Sequence, residues 1–570
     1  MCFLLAKKLN GSDIIIECLL EQGVDTVFGY PGGAVLNIYD ALYKYQDKIN
    51  HILTSHEQNA CHAADGYART TGKTGVVIAT SGPGATNLVT GIATANMDSI
   101  PLVAITGNVG TSLLGLDSFQ EADIVSITKS ITKKNFQVTK VEDLADTIRE
   151  AFYIANEGRK GPVLIDVPKD VSANVCDFEN KPVKKYEYIK SDVVDTQIEK
   201  AIKMIKASKR PYIYAGGGIV SCDAVDLMKD FVYKVDAPVS LSLMGQCAFD
   251  NTDERYLGML GMHGTKTSSL ALKDCDLMIV LGSRFSDRVS CNTNTFKMGQ
   301  NILHIDIDTK EIDKNIETDS YVLGDLTYIL SELNSKLPQQ DHSDWLKQVY
   351  AWKNEYPLTM HPVKSEDTDA VLPKDVLETL DKLTDGKAIL STEVGQHQMW
   401  VAEYYNFKAE RSLATSGGFG TMGYGLGASI GAKVGNPDRT VINVAGDGSF
   451  YMNLTELSTL AKYDIPVIEL VFNNSVLGMV RQWQRLFYGK RFSQTVIEKG
   501  TDFVKLGEAF GVKSLQITKK SDIEPVLKEA LSCGKPCLID CLIDKDINVL
   551  PMVPAGQSVY EPLLEITIDD

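Results

Sequence analysis

Two stretches decide the fold: Thr440-Val441-Ile442-Asn443-Val444-Ala445-Gly446-Asp447-Gly448-Ser449 and Pro466-Val467-Ile468-Glu469-Leu470-Val471-Phe472-Asn473-Asn474. Each is a short, largely apolar run rich in β-branched residues and closed by small or polar residues. Such runs fit strands buried on both faces, as in a parallel sheet. Each also ends in an oxygen ligand, the carboxylate of Asp447 and the carboxamide of Asn474. A doubly wound sheet binds its ligands at the carboxyl ends of its strands. Asp, Asn and one backbone carbonyl suit a hard divalent cation that keeps phosphate oxygens and water as its other ligands, which describes Mg²⁺ on a diphosphate. A pair of ordinary Asp-Gly and Asn-Asn turns is the other reading of the same residues.

Outward from there the pattern repeats. Gly75-Val76-Val77-Ile78-Ala79-Thr80, Pro101-Leu102-Val103-Ala104-Ile105-Thr106 and Pro162-Val163-Leu164-Ile165-Asp166-Val167 read as buried strands. Between the last two, residues 143–157 carry apolar side chains at Leu144, Ile148, Ala151, Phe152 and Ala155, a helical period. Alternating strand and helix predicts an α/β chain. Composition shifts divide it into three doubly wound blocks, 1–175, 198–338 and 371–570. Linkers are expected at 176–197 and 339–370. No short-period repeat is visible.

Composition narrows the function. The chain has 570 residues, 44% hydrophobic and 23% charged, with 57 Lys+Arg against 74 Asp+Glu for a net charge of −17. That excludes a mainly disordered chain and argues against nucleic-acid or membrane-surface partners. No apolar run is long enough to span a bilayer. The start, Met1 to Lys8, does not read as a secretory or transit leader. The 11 cysteines are unevenly spaced, which fits reduced thiols in a cytoplasmic protein. Cys533, Cys537 and Cys541 read as buried thiols on and beside a terminal strand.

The spacing of Gly446-Asp447-Gly448 and Asn473-Asn474 resembles the signature of thiamine-diphosphate enzymes. Further motifs appear in order: Gly29-Tyr30-Pro31-Gly32-Gly33-Ala34, His56-Glu57-Gln58, Gly66-Tyr67-Ala68-Arg69, Ser81-Gly82-Pro83-Gly84, Phe119-Gln120-Glu121, Gly261-Met262-His263-Gly264, Arg284-Phe285-Ser286-Asp287-Arg288 and Gly478-Met479-Val480-Arg481-Gln482-Trp483. Over the whole chain they resemble the biosynthetic, FAD-containing catalytic subunit of acetohydroxyacid (acetolactate) synthase.

That resemblance implies a pyrimidine-binding first block, a Rossmann-like FAD-binding middle block and a pyrophosphate/Mg²⁺-binding third block. It implies decarboxylation of pyruvate and transfer of the two-carbon unit to pyruvate or 2-ketobutyrate, at the head of branched-chain amino acid synthesis. Glu57 would hold the aminopyrimidine N1′, which requires a partly buried carboxyl whose pKa is tuned by desolvation. Gly33, Val394, Gly395, Gln396, His397, Gly446, Asp447, Gly448, Ser449, Asn474 and Met479 would line the cofactor. The Gly420 carbonyl would receive its 4′-amino group, and Met422 would be the wedge that bends it. Asp447, Asn474 and the Val476 backbone would hold Mg²⁺.

Simple 2-ketoacid decarboxylases of the superfamily carry a His pair in the first block. Here no histidine lies between His62 and His263, and the loop reads Phe119-Gln120. The lack of a proton donor there favours carboligation. Gln120 and Lys169 would serve the reaction. Phe119, Arg288, Met479 and Trp483 would contact the acceptor, with Arg288 on its carboxylate and Trp483 on its side chain. Structural FAD would lie on Arg159, Gly217, Gly218, Leu260, His263, Gly282, Arg284, Arg288, Asp306 and Asp325. Ser286 departs from the family's usual Asp, and Gly110 stands where plant relatives carry Pro. The Gly-rich run 416–423 contains a G-x-G-x-x-G, but no clean strand is expected before it, so a dinucleotide fingerprint is not read there. The superfamily pattern implies a homodimer or homotetramer with its active site between chains. Feedback control would need a separate regulatory small subunit. An FAD-redox pyruvate oxidase and a non-enzymatic partner-binding paralogue are the rival readings.

Overall fold

The computed structural model describes residues 7–364, 367–498 and 500–566. The leader reading of Met1 to Lys8 falls almost entirely outside them. Three sheets of six strands carry the fold, and every strand pair within them is parallel. The first runs Asn50–Leu53, Thr26–Tyr30, Gly75–Ala79, Leu102–Asn108, Pro162–Pro168, Lys134–Gln137 from edge to edge. The third runs Leu413–Thr415, Ile389–Thr392, Val441–Gly446, Val467–Asn473, Cys537–Leu542, Lys513–Ile517. Numbered along the chain, both have the order 2-1-3-4-6-5. The middle sheet runs Tyr256–Met259, Val239–Leu241, Pro211–Ala215, Leu277–Leu281, Asn301–Asp306, Ser320–Leu323, which is the order 3-2-1-4-5-6. The middle order reverses once, at its centre, and the other two reverse between their first and third strands and again at one edge; a crevice opens at such a switch point.

The periodicities account for the layers. Helix Val141–Asn156 buries Leu144, Ile148, Ala151, Phe152 and Ala155, the stripe legible in the sequence. Strands Gly75–Ala79 and Pro162–Pro168 are buried at every residue, as continuous apolar runs require. Residues Val175–Phe178 pair antiparallel with Lys7–Asn10 in a separate ribbon. Within 339–370, helix Ser343–Glu355 packs on the middle sheet, where Trp345 Nε1 donates to the Pro211 carbonyl at 2.9 Å. One sequence expectation is corrected. A strand, Leu413–Thr415, does precede the Gly-rich run 416–423. Three edge residues are too few to show a period of two.

The first and third blocks share one core, in which Phe28, Ala63 and Leu102 join Leu426, Ile430 and Val441. Two helices make the junction, α1 (Glu57–Thr71) and α2 (Gly425–Gly435). Their backbones nearly touch. A Cβ on Gly66 would lie 2.1 Å from the Ala428 carbonyl oxygen, and one on Gly431 1.7 Å from that of Ala63. Only glycine permits this approach. The crossing ties the element that begins with Glu57 to the one that follows the Gly-rich turn.

Candidate active site and cofactor clefts

The sequence-expected residues of the first block follow the carboxyl ends of its strands. Gly33 opens a turn after Thr26–Tyr30, Glu57 begins α1 just past Asn50–Leu53, and Lys169 begins a short helix after Pro162–Pro168. Glu57 is 9% exposed, and its Oε2 accepts from Asn87 Nδ2 at 2.9 Å. Gln120 sits at φ 59 with its backbone against Gly82. Phe119, beside it, is 88% exposed.

The third block gathers a tighter cluster at its switch point. Loops after Ile389–Thr392, Val441–Gly446 and Val467–Asn473 meet there. The buried His397 ring stands against Gly446, where a Cβ would lie 2.8 Å from Nδ1. The Ser475 N–H hydrogen-bonds the Asp447 carboxyl. Gln396 and Asn474 flank Gly478, and Asn474 Oδ1 accepts from the Val476 N–H at 3.1 Å. Burial holds His397 neutral, with its pKa lowered to about 3. Its Nε2 and the Gln396 Oε1 are buried without a protein partner. Burial also raises the Asp447 carboxyl to about 7. Unpartnered donors and acceptors next to a costly buried carboxyl fit a bound diphosphate and cation. No cluster of three or more His, Cys, Asp or Glu suited to a metal exists among the described residues, so this site would rest on one carboxylate, one amide and a carbonyl.

All ten residues expected at FAD line one cavity of about 1670 Å³. They come from loops after the middle strands, plus Arg159 from the first block. The volume exceeds the ~300–1,000 Å³ of ordinary ligand pockets and suits a dinucleotide with room for a substrate. Arg284 and Arg288 have sulfur neighbours, Met97 and Met262, each at 3.5 Å, and Arg288 stands 3.9 Å from Asp287. They are placed to receive an anion. The His263 Nδ1 is buried and unpartnered. Arg159 is more committed, donating to Ser99, Asp308 and Glu311. Asp325 caps helix Leu326–Lys336. Burial raises Asp306 to about 6. Ser286 also lines the cavity.

The same cavity extends to Val394, Gly395, Gly420, Met479 and Trp483. The structure therefore brings the flavin set, three of the four acceptor residues (Arg288, Met479 and Trp483) and part of the diphosphate set together. Gly33, Glu57, Phe119, Gln120 and Lys169 do not line it.

Sequence reasoning missed two buried acids beside the Gly-rich turn, Glu393 and Asp98. Glu393 directly precedes the Val394-Gly395-Gln396-His397 motif and follows the strand Ile389–Thr392, the only local signal it offered.

Three models of thiamine pyrophosphate enzymes match in order: the N-terminal TPP binding domain over residues 9–127, the central domain over 198–333 and the C-terminal TPP binding domain over 393–541. A probable acetolactate synthase large subunit of Methanocaldococcus jannaschii is 45% identical over 563 residues, covering 96% of this chain and 94% of its own. The acetolactate synthase large subunit of Lactococcus lactis is 44% identical, with 97% and 96% covered. The mitochondrial acetolactate synthase catalytic subunit of Saccharomyces cerevisiae is 42% identical, with 97% and 83% covered. The chain belongs to the acetolactate synthase large-subunit family. As an acetolactate synthase it is a thiamine-diphosphate enzyme, and the three parallel sheets are its three TPP-enzyme domains. Among the described residues no helix is long and apolar enough to cross a membrane.

Proposed function

We propose that the chain decarboxylates pyruvate and joins the two-carbon unit to pyruvate or 2-ketobutyrate, giving 2-acetolactate or 2-aceto-2-hydroxybutyrate for branched-chain amino acid synthesis. The observation that carries the reading is the convergence on one cavity of Arg288, Trp483, Met479 and Gly420 from two different sheets. Thiamine diphosphate supplies the C2 nucleophile when bound. Glu57, buried and oriented by Asn87, holds a proton at the aminopyrimidine N1′. His397, Gln396, Asp447, Asn474 and the Val476 carbonyl would hold the diphosphate and Mg²⁺. The Gly420 carbonyl would accept from the cofactor's 4′-amino group, and the Met422 side chain would support the cofactor. Arg288 would bind the acceptor carboxylate and orient its ketone for the carbon–carbon bond. Trp483, edge-to-face with Phe487 at 5.5 Å, walls the acceptor side chain. Gln120 serves the reaction and Lys169 acts at the substrate entrance.

FAD in the middle cavity is structural, since the reaction transfers no net electrons. The first-block residues Glu57, Phe119, Gln120 and Lys169 do not line the cavity that holds Arg288 and Trp483. An exposed Phe119 and Leu116 accompany the first set. Both observations support an active site completed by a second copy, in a homodimer or homotetramer. All ten cysteines among the described residues are free thiols, which supports a cytoplasmic location. A separate regulatory subunit accounts for any feedback.

The test is anaerobic turnover of purified protein with pyruvate and 2-ketobutyrate in competition, with its flavin spectrum recorded throughout. Acetohydroxyacid products with an unbleached flavin are expected. Acetate and a reduced flavin would overturn the reading in favour of an oxidase.

A further inference from the structure

The turn that carries Gly420 and Met422 hangs between two buried carboxylates. At its far end Glu393, at 0% exposure, accepts backbone N–H groups from four consecutive residues. Oε2 takes Gly423 at 2.6 Å and Tyr424 at 3.0 Å, and Oε1 takes Gly425 at 2.8 Å and Leu426 at 3.3 Å. The Asn453 Nδ2 is a fifth donor, at 2.5 Å. These amides open α2, where N–H groups have no helical partner and negative charge is favoured. At the near end Asp98 accepts from the N–H groups of Gly418 at 2.7 Å and Gly417 at 3.2 Å. Thr421 N–H donates to Ser416 Oγ at 3.0 Å. Gly420 lies between the anchors at φ +72, a conformation glycine tolerates and most residues do not.

We infer that Glu393 is the positioning residue of this turn: by fixing Gly423 to Leu426 it sets the height of the Met422 side chain and the direction of the Gly420 carbonyl. The inference rests on the roles proposed above for those two groups. Glu393 itself touches neither substrate nor cofactor. Glu469 is close enough to oppose its charge, and its two oxygens share the Asn443 Nδ2 at 3.0 and 2.9 Å. Burial pushes Glu469 well above the carboxylate range. Burial raises Glu393 only to about 7, because Asn453 and the backbone amides draw it back down. The charge of the pair therefore belongs to Glu393, and its hold on the turn is firmest above that pH.

Glu393→Gln keeps the shape but turns an NH₂ group toward at least two of the five donors, whichever way the amide is rotated. At pH 8 in the cofactor-free protein, amide hydrogen exchange over 416–426 should rise about tenfold or more while the rest of the chain keeps its protection. With thiamine diphosphate added, exchange of the cofactor's C2 proton should slow about tenfold, with cofactor affinity altered less than about threefold because the diphosphate residues are untouched. Glu393→Asp, still an ionised acceptor, should recover most of both. Unchanged exchange over 416–426 in the Gln variant would overturn the inference, as would an Asp variant as impaired as Gln. If the Gln variant fails to fold, Asn453→Ala serves instead: faster exchange confined to Gly423–Leu426 supports the inference, and unchanged protection there overturns it. Failure of the parent to make acetolactate would instead reject the functional reading and leave the hydrogen-exchange result standing.

Discussion

Glu57→Gln separates chemistry from folding. In the parent, Oε2 accepts from Asn87 Nδ2 at 2.9 Å, and the other oxygen faces Gly84, where an added Cβ would lie 3.2 Å away. Glutamine has the same volume and can point its carbonyl at Asn87. The structural cost is therefore a weakened hydrogen bond, about 1 kcal/mol. In a chain of this size that lowers the melting temperature by only about 1 °C. The chemical cost is larger. An amide cannot hold or return a proton at N1′, and losing such acid–base catalysis removes about 10²–10⁴-fold in rate. That is about 3–5 kcal/mol of barrier at 1.36 kcal/mol per tenfold. The assay is acetolactate formed from pyruvate at saturating cofactor, alongside a thermal melt and the C2 proton exchange rate. Turnover within tenfold of the parent, with the melt unchanged, would refute the role given to Glu57. Glu57→Ala is the control for packing, because it leaves the Asn87 amide unpaired, at about 1–3 kcal/mol.

Asp447→Asn should abolish Mg²⁺-dependent binding of thiamine diphosphate, read by titration of the cofactor. Mixed and reassembled one-to-one with Glu57→Gln chains, it should regain about a quarter of parental activity if each site draws on two chains, since half the dimers are mixed and each of those holds one intact site; no recovery would argue for sites built within single chains. His62 is fully buried, and burial, with the Arg69 charge adding to it, lowers its pKa from 6.5 to about 3. The folded state thus favours the neutral ring, and that stability is intact above 6.5 and is lost as pH falls toward 3, at about 1.4 kcal/mol per pH unit. Denaturant melts should accordingly show His62→Gln gaining about 2 kcal/mol on the parent between pH 8 and pH 5; a constant difference would contradict the burial argument. Trp483→Leu should reduce the preference for 2-ketobutyrate by about 10–200-fold, the range one methylene's contact can supply, measured by product ratio in competition.

Much of the fold was legible because its signals are local. Buried parallel strands announce themselves as continuous apolar runs, and Val441–Gly446 and Val467–Asn473 fall within a residue of their sequence expectation. The placement of many expected site residues just past strand ends was legible too, because a doubly wound sheet puts ligand contacts in the first turn after each strand. Leu413–Thr415 was not, since a three-residue edge strand carries no period.

The sequence by itself determined the class of sheet, the thiamine-diphosphate family and the residues that follow each strand end. Tertiary structure decided which of those residues share a space. Arg288 and Trp483 face one cavity, while Glu57 and Gln120 lie outside it. It also decided which acids carry structural weight. Glu393 gains its five donors from residues 30 to 60 positions away, and Asp98 receives Gly417 and Gly418 from about 320 positions away. The glycine approach of α1 and α2 is likewise a matter of two backbones meeting. The physical reason is the same in each case. Strand and helix periods are written in neighbouring residues, whereas burial, hydrogen-bond satisfaction and pKa depend on groups that become neighbours only when the sheets pack.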